Sequence, residues 1–376
     1  MNNTHINNRA TVTTLNDAVS TTEVKETVME MWRESFKVDE QWLKMYFDRV
    51  YRDEDVLTMT AGDDDDVIAS SLLLQRYTLY FHSMPVPMGY VSGATTRREY
   101  RDRGYMRELM NRALEFAYDR GDAVVALIPE NRRLFFYYDR LGFSTVFYVD
   151  EERYTDIHRF EYTGRYTAVD PADNHEVFSA FDRMMRRRDN VVVHTYADLQ
   201  NILLDVTMDG GHTIVLRNDN NGEIEAIAMV VPKDDRIVVR ELLADNADAR
   251  NAALEHARQL FPGKPVTVVA PPDEHNIPIH SRGMARLVNA RKLLAAYAAR
   301  YPKLSMSIKL YDPILPNNSH IYIIDGGEVV LNDGFGGKID LDVSPETLLS
   351  ILCSDAPIGD IFGMPTARPY ISLMLD

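Results

Sequence analysis

The 376-residue sequence contains a single cysteine, Cys353. One thiol excludes an internal disulfide framework and suits a reducing compartment. No apolar run reaches the ~18 residues that a membrane span needs, so no membrane partner is expected. The opening stretch, MNNTHINNRATVTTLND, lacks the apolar core of a secretion signal, and a cytoplasmic location is expected. Positive charge is also scarce, with 41 Lys and Arg against 57 Asp and Glu and a formal net charge of −16. Nucleic-acid backbones are held by clustered Lys and Arg, so no nucleic-acid partner is expected. An acidic chain instead favours cationic small molecules or basic peptides near its clefts. The chief basic run, RMMRRRDN at 183–190, reads as the solvated end of a helix. The carboxylate run DDDD at 63–66 lacks the glycine and terminal glutamate of a calcium loop. It reads as a polar turn, and no metal is expected.

What is present fits an α/β protein of two or three domains. In the first region, about 21–150, TEVKETVMEMWRESF places Val24, Val28, Met31 and Trp32 on one helical face. DEQWLKMYFDRVY predicts a second helix, and DVLTMTAG and VIASSLLLQRYTLYF predict strands. A further strand ends near Thr96, and a basic loop, RDRGY, opens a helix near Gly104. Met106, Leu109, Met110, Ala113, Leu114 and Ala117 follow at i, i+3, i+4, i+7, i+8 and i+11, one helical face. Gly121 ends that helix, and AVVALI predicts a short buried strand. A strand–loop–helix–strand unit directs the helix's unpaired backbone N–H groups and positive dipole end at the loop, a ready anion site. Beyond it lies FFYYDRLGF, 135–143, in which Gly142 suits a left-handed helix end. Its aromatics are candidates for core packing or for chemistry.

The second region, about 151–280, predicts three strands across GGHTIVLRNDNNGEIEAIAMVVPKDDRIVVRELLAD, a helix in ADARNAALEHARQLF, and a strand in PVTVVAPP. The order echoes the first region, but ELLADNAD before the helix has no R-x-x-G. The third region begins near Gly283, with a helix from about Asn289 and paired strands joined by DPILPNN. DVSPETLLSILC supplies a Ser344 cap and Pro345 at the first helical position. GFGGK at 334–338 reads as a turn, and Cys353 reads as a small buried hydrophobe.

Arg101-x-x-Gly104-x-Met106, opening a helix after a strand, resembles the pyrophosphate signature Q/R-x-x-G-x-G/A of GCN5-related N-acetyltransferases (GNAT). Met106 departs from the small residue of that pattern. RDRGYM, YYDRLGF, and GMARLV followed by IKLYDPILPNN make the whole chain resemble the enhanced-intracellular-survival (Eis) acetyltransferases. The resemblance implies tandem GNAT folds, the second degenerate, plus a sterol-carrier-protein-like domain, divided as 1–150, 151–282 and 283–376. It implies acetyl-CoA as co-substrate, held by Ala94, Thr95 and Thr96 at the pantetheine arm. Asp102, Arg103, Gly104, Tyr105, Met106 and Arg107 would hold the phosphates. It implies Tyr138 as general acid and the main-chain carboxylate of Asp376 as base, an acceptor bearing a primary amine, and a homohexamer. Chemistry agrees with the roles: a phenol stays protonated at neutral pH and can donate to a departing thiolate. Two rival readings stand beside the enzyme, namely an acetyl-CoA-binding regulator and a carrier of apolar ligands.

Overall fold

The computed structural model describes residues 12–14, 21–61, 67–272, 280–354 and 356–375. The acidic run at 63–66 and Asp376 therefore lie outside the described residues. The first unit contains β1 (Val12–Thr14), α1 (Thr21–Ser35), α2 (Glu40–Arg49), β2 (Val56–Ala61), β3 (Val67–Phe81) and β4 (Met84–Thr96). It continues through α3 (Tyr105–Arg120), β5 (Val124–Leu127), α4 (Arg132–Asp139) and β6 (Ser144–Tyr154). Asp39 starts α2 by accepting from the N–H groups of Gln41 (2.8 Å) and Trp42 (3.2 Å). The apolar stripe of α3 is fully buried at Leu109, Met110, Ala113, Leu114 and Ala117. Gly121 ends that helix at φ +89°.

The second unit comprises β7 (Tyr166–Ala168), α5 (His175–Met185), β8 (Val191–Val193), α6 (Tyr196–Met208), β9 (His212–Asn218) and β10 (Ile224–Pro232). It closes with β11 (Ile237–Ala244), α7 (Ala247–Leu260) and β12 (Val266–Ala270). Its core repeats the earlier plan: an antiparallel run, β9–β10–β11, then a helix, then β12 parallel to β11. Helix α6 adds to the sequence reading, and α5 is the helix whose end was expected at 183–190. A capping box, Thr195 with Asp198, starts α6. The run 183–190 does end a helix, α5, and Arg186 and Arg187 are exposed there, but it is not wholly solvated. Arg188 is largely buried against Glu241, and Arg183 and Arg187 both pair with Asp245.

The third unit contains β13 (His280–Leu287), α8 (Ala290–Arg300), β14 (Met306–Leu310), β15 (Ile321–Asp325), β16 (Glu328–Leu331), β17 (Leu341–Val343), α9 (Pro345–Leu352) and α10 (Ala356–Phe362). Strands β14–β17 form a separate four-stranded sheet in the order β16-β15-β14-β17. Strand β13 does not join them. It lies between β5 and β6 in a 13-stranded sheet ordered β1-β2-β3-β4-β5-β13-β6-β12-β11-β10-β9-β7, with β8 laid on β3. The boundary at 282/283 expected from sequence therefore falls inside a strand. Strand β6 joins the two halves: Ser144–Val149 faces β13, and Asp150–Tyr154 faces β12.

Successive side chains of β3 divide the interior between the two faces of the sheet. Leu73 packs with α1, α2, α5 and α6. Leu72 and Leu74 pack with α3 and Tyr138.

Candidate active site

Strands β4 and β5 pair in parallel over three positions only, Met88–Tyr90 against Val124–Ala126. Strand β4 runs on to Thr96, while β5 stops at Leu127 with β13 on its other side. The two strands splay, leaving the far half of β4 without a ladder partner on that side among the described residues. A bulge sharpens the divergence. Gly93 has φ +61°, and the β3–β4 register slips between Ser71–Thr95 and Leu73–Ser92. Only glycine suits this place, because a Cβ there would lie 1.7 Å from the Trp32 ring. Beyond the bulge, Thr95 Oγ1 meets Ser35 Oγ at 2.5 Å and Thr96 Oγ1 meets Ser70 Oγ at 2.8 Å.

The chain then turns into α3. Asp102 (φ +60°) and Gly104 (φ +88°) take left-handed conformations, and no side chain among the described residues caps the helix. The N–H groups of its first turn are thus left to an outside acceptor, and the dipole favours an anion. Arg101, Arg103 and Arg107 are exposed around this end. Arg101 Nε donates to Thr96 O (3.0 Å), tying the loop to β4. Met106 turns its side chain onto the core cluster beneath α3, which explains how a large residue is accommodated at that position.

The same cluster contains Tyr138. Asn131 starts α4 by accepting from Arg133 N (3.1 Å) and Leu134 N (3.4 Å). Tyr138 is then carried inward by the helix, and its ring rests 5.7 Å from that of Phe143 and 5.2 Å from that of Tyr137. Tyr138 is 7% exposed, and burial holds its phenol above the usual range. Tyr137 is only half-buried, and its phenol is raised by burial against the opposing pull of Arg107 and Arg140. Phe135 packs on this core, and Trp32 and Phe36 pack on the other face of the sheet.

On that other face lies a cavity of about 750 Å³, walled by α2, α6, β11 and the segment Tyr370–Leu375. Asp39, Glu151, Asp205 and Asp209 line it, opposed by Arg240 and Arg282. Trp42 Nε1 donates to Asp205 Oδ1 (2.7 Å), and Arg240 Nη1 donates to Asp205 Oδ2 (2.9 Å). Arg240 also pairs with Asp209. These cavity residues escaped the sequence reading. Trp42 and Asp205 are 163 positions apart, and each looks like an ordinary helical residue.

Residues 19–146 match the family model of the acetyltransferase (GNAT) domain. The amino-terminal region is a GNAT acetyltransferase domain. No curated protein matches the sequence. Among solved structures, a GCN5-related N-acetyltransferase from Kribbella flavida superposes with TM-score 0.74 at 16% identity over 98% of each chain. A probable N-acyltransferase from Enterococcus faecalis gives 0.77 at 15% identity, over 96% of this chain and 99% of that one. Eis1 from Mycobacterium abscessus gives 0.70 at 14% identity, again over 96% and 99%. At such identities the likeness is one of fold, and it runs through all three units.

In the GNAT domain, Ala94, Thr95 and Thr96 occupy the free half of β4, and Asp102–Arg107 form the loop and first turn of α3. Ala94, Tyr105, Met106 and Tyr138 share one packed cluster. The second unit repeats the splay, with β11 and β12 paired over Ile237–Val239 and Val266–Val268. There the helix end is already occupied. Asn246 caps Ala249 N at 2.8 Å, and Asp248 accepts from Thr163 N (2.7 Å), Gly164 N (2.9 Å) and the Tyr166 hydroxyl (3.0 Å). A carboxylate in the first turn uses the anion-binding potential of α7 internally. Among the described residues no group of three His, Cys, Asp or Glu side chains could hold a metal, and no helix is long and apolar enough to cross a membrane.

Proposed function

We propose that the chain transfers the acetyl group of acetyl-CoA to a primary amine carried by a cationic small molecule or peptide. The observation that carries this reading is the opening between β4 and β5 beside the uncapped amino end of α3. Ala94, Thr95 and Thr96 would pair with the pantetheine arm through their backbone. The loop Asp102–Arg107 would bind the pyrophosphate through first-turn N–H groups and nearby guanidinium groups. The thioester would then sit where the splayed strands connect the Tyr138 face of the sheet to the cavity face.

The amine must reach the thioester without its proton, because an ammonium has no lone pair. Asp376 is proposed as the base, consistent with Leu375 lining the cavity. The neutral amine adds to the thioester carbonyl, the C–N bond forms, and the C–S bond breaks. Tyr138 gives its proton to the departing thiolate, a role favoured by a phenol whose burial keeps it protonated, and the second proton, shed by the new amide nitrogen, restores the phenol. The acidic lining supports a cationic acceptor. The finer elements belong to the same proposal: an Eis-like enzyme, divided as 1–150, 151–282 and 283–376. Its last unit would be sterol-carrier-protein-like, and it would act in the cytoplasm as a homohexamer.

Release of CoA thiol, followed with polyamines, aminoglycosides and lysine peptides, tests the reading. Turnover that requires both acetyl-CoA and an amine is expected, and absence of transfer to every amine overturns it. For the base, Asp376→Ala is expected to remain active, whereas amidation of the Asp376 main-chain carboxylate abolishes turnover. The reverse pattern would assign the role to the side chain.

A further inference from the structure

The wall that Tyr370–Leu375 gives the cavity is not a rung of any sheet. Its backbone meets β8 at Tyr370, whose N–H donates to Asn190 O (2.9 Å) and whose carbonyl accepts from Val192 N (3.1 Å). Past Tyr370 the segment is gripped at Ser372. The Ser372 hydroxyl donates to Glu241 Oε2 at 2.6 Å, and the Ser372 carbonyl meets His194 Nε2 at 3.0 Å. A carbonyl can only accept, so His194 carries its proton on Nε2. Arg188 completes the group. Its Nη2 donates to Glu241 Oε1 at 2.8 Å, its Nη1 to Glu241 Oε2 at 3.2 Å, and its guanidinium lies 5.0 Å from the Tyr370 ring centroid.

Two features mark this as more than packing. Glu241 is 1% exposed and stands on β11 between the buried apolar residues Val239 and Leu243. A carboxylate there must be fully compensated, and a hydrophobic pair would fill the space at least as favourably, whereas an ionic group fixes orientation. The second feature is the residue that follows. Leu373 has φ +59°, a left-handed conformation unfavourable for a branched apolar side chain and found where surroundings impose it. The anchor at Ser372 and the forced turn at Leu373 together set the direction of the chain along the cavity.

We propose that Glu241, seated by Arg188, and His194 are positioning residues for the acceptor amine. They fix Ser372, and through it the segment Ser372–Leu375 that walls the acceptor site. This rests on reading the cavity as that site.

Replacement of Ser372 by alanine removes one hydroxyl from the grip and leaves the ion pair of Glu241 and Arg188 in place. In Ser372→Ala, kcat/KM for the acceptor is expected to fall on the order of tenfold while the KM for acetyl-CoA stays within about twofold. Hydrogen exchange of the amides at 371–375 should accelerate. Ser372→Thr should restore both, and Glu241→Gln, which keeps the size and loses the charge, should repeat both effects. Acceptor kinetics and exchange that both match wild type overturn the proposal. A matched rise in both KM values also overturns it, since that marks general loosening. If the wild-type chain acetylates no amine, the functional reading itself fails. Unaltered exchange in Ser372→Ala under those conditions would refute the anchor separately.

Discussion

Two adjacent phenols on α4 meet different surroundings. Tyr138 is sealed in the core beneath α3, while Tyr137, about 100° around the helix, is half-buried near Arg107 and Arg140. Tyr138→Phe keeps the ring and its packing, so turnover is expected to fall ~10²-fold with acetyl-CoA affinity unchanged, the scale of a lost general acid. Tyr137→Phe should leave turnover nearly intact, and steady-state kinetics on both variants check the assignment. Because burial raises the Tyr138 phenol above its ordinary value, its ionisation should not limit activity within the neutral range. Cys353 offers no rival nucleophile, for burial pushes its thiol up to about 12. At this scale the sequence was a partial guide. It brought Tyr137 and Tyr138 into question through the Gly142 helix end that follows them. The acidic cavity was invisible, because Asp39, Glu151 and the pair Asp205 and Asp209 come from three separate parts of the chain.

Among the elements, β4 carries the greatest constraint. Gly93→Ala sets a methyl group against the Trp32 ring at a left-handed backbone position, and a loss of about 2–4 kcal/mol is expected in urea unfolding. Gly104 differs. The nearest atom to a Cβ there is Arg107 Nη2 at 3.6 Å, so the cost of a side chain is mainly the φ of +88°. Gly104→Glu should therefore fold, with a modest loss of stability, and fail to bind acetyl-CoA in calorimetry because its carboxylate opposes the phosphates. The strand β3 was legible because an apolar run from Val67 to Phe81 has polar stretches on both sides. The face of α3 was legible because its small and apolar residues keep helical spacing. Helix α6 went unread, although Thr195-x-x-Asp198 is a local start signal, and of α5 only its basic end was read. Strand β13 could not be placed at all from GMARLV, since its partners lie over 130 positions upstream in β5 and β6.

Over the whole molecule, β13 links the large sheet to the small one through a buried ion pair. Arg286 Nη2 donates to Asp312 Oδ1 at 2.6 Å, with both side chains essentially inaccessible. Asp312 also accepts from Ile314 N and Leu315 N, each at 3.0 Å, and from Asn318 Nδ2 at 3.0 Å. This is the physical content of IKLYDPILPNN: its aspartate gathers the turn and neutralises Arg286. Gly142 completes the fit, since a Cβ at φ +78° would lie 2.7 Å from Arg286 Nε. Asp312→Ala leaves a guanidinium buried and uncompensated, and a loss of about 3–5 kcal/mol is expected in chemical denaturation. Asp312→Asn should lose less by keeping an acceptor for the turn.

The place of β13 also orders events in time. When β5 and β6 leave the ribosome, the strand that must lie between them has not been made, and it follows roughly 130 residues later. At synthesis rates of about 5–20 residues per second, the nascent chain carries two open strand edges for roughly 7–26 s. During that interval it is exposed to pairing with neighbouring polypeptides, and a chaperone that shields strand edges would act on it then.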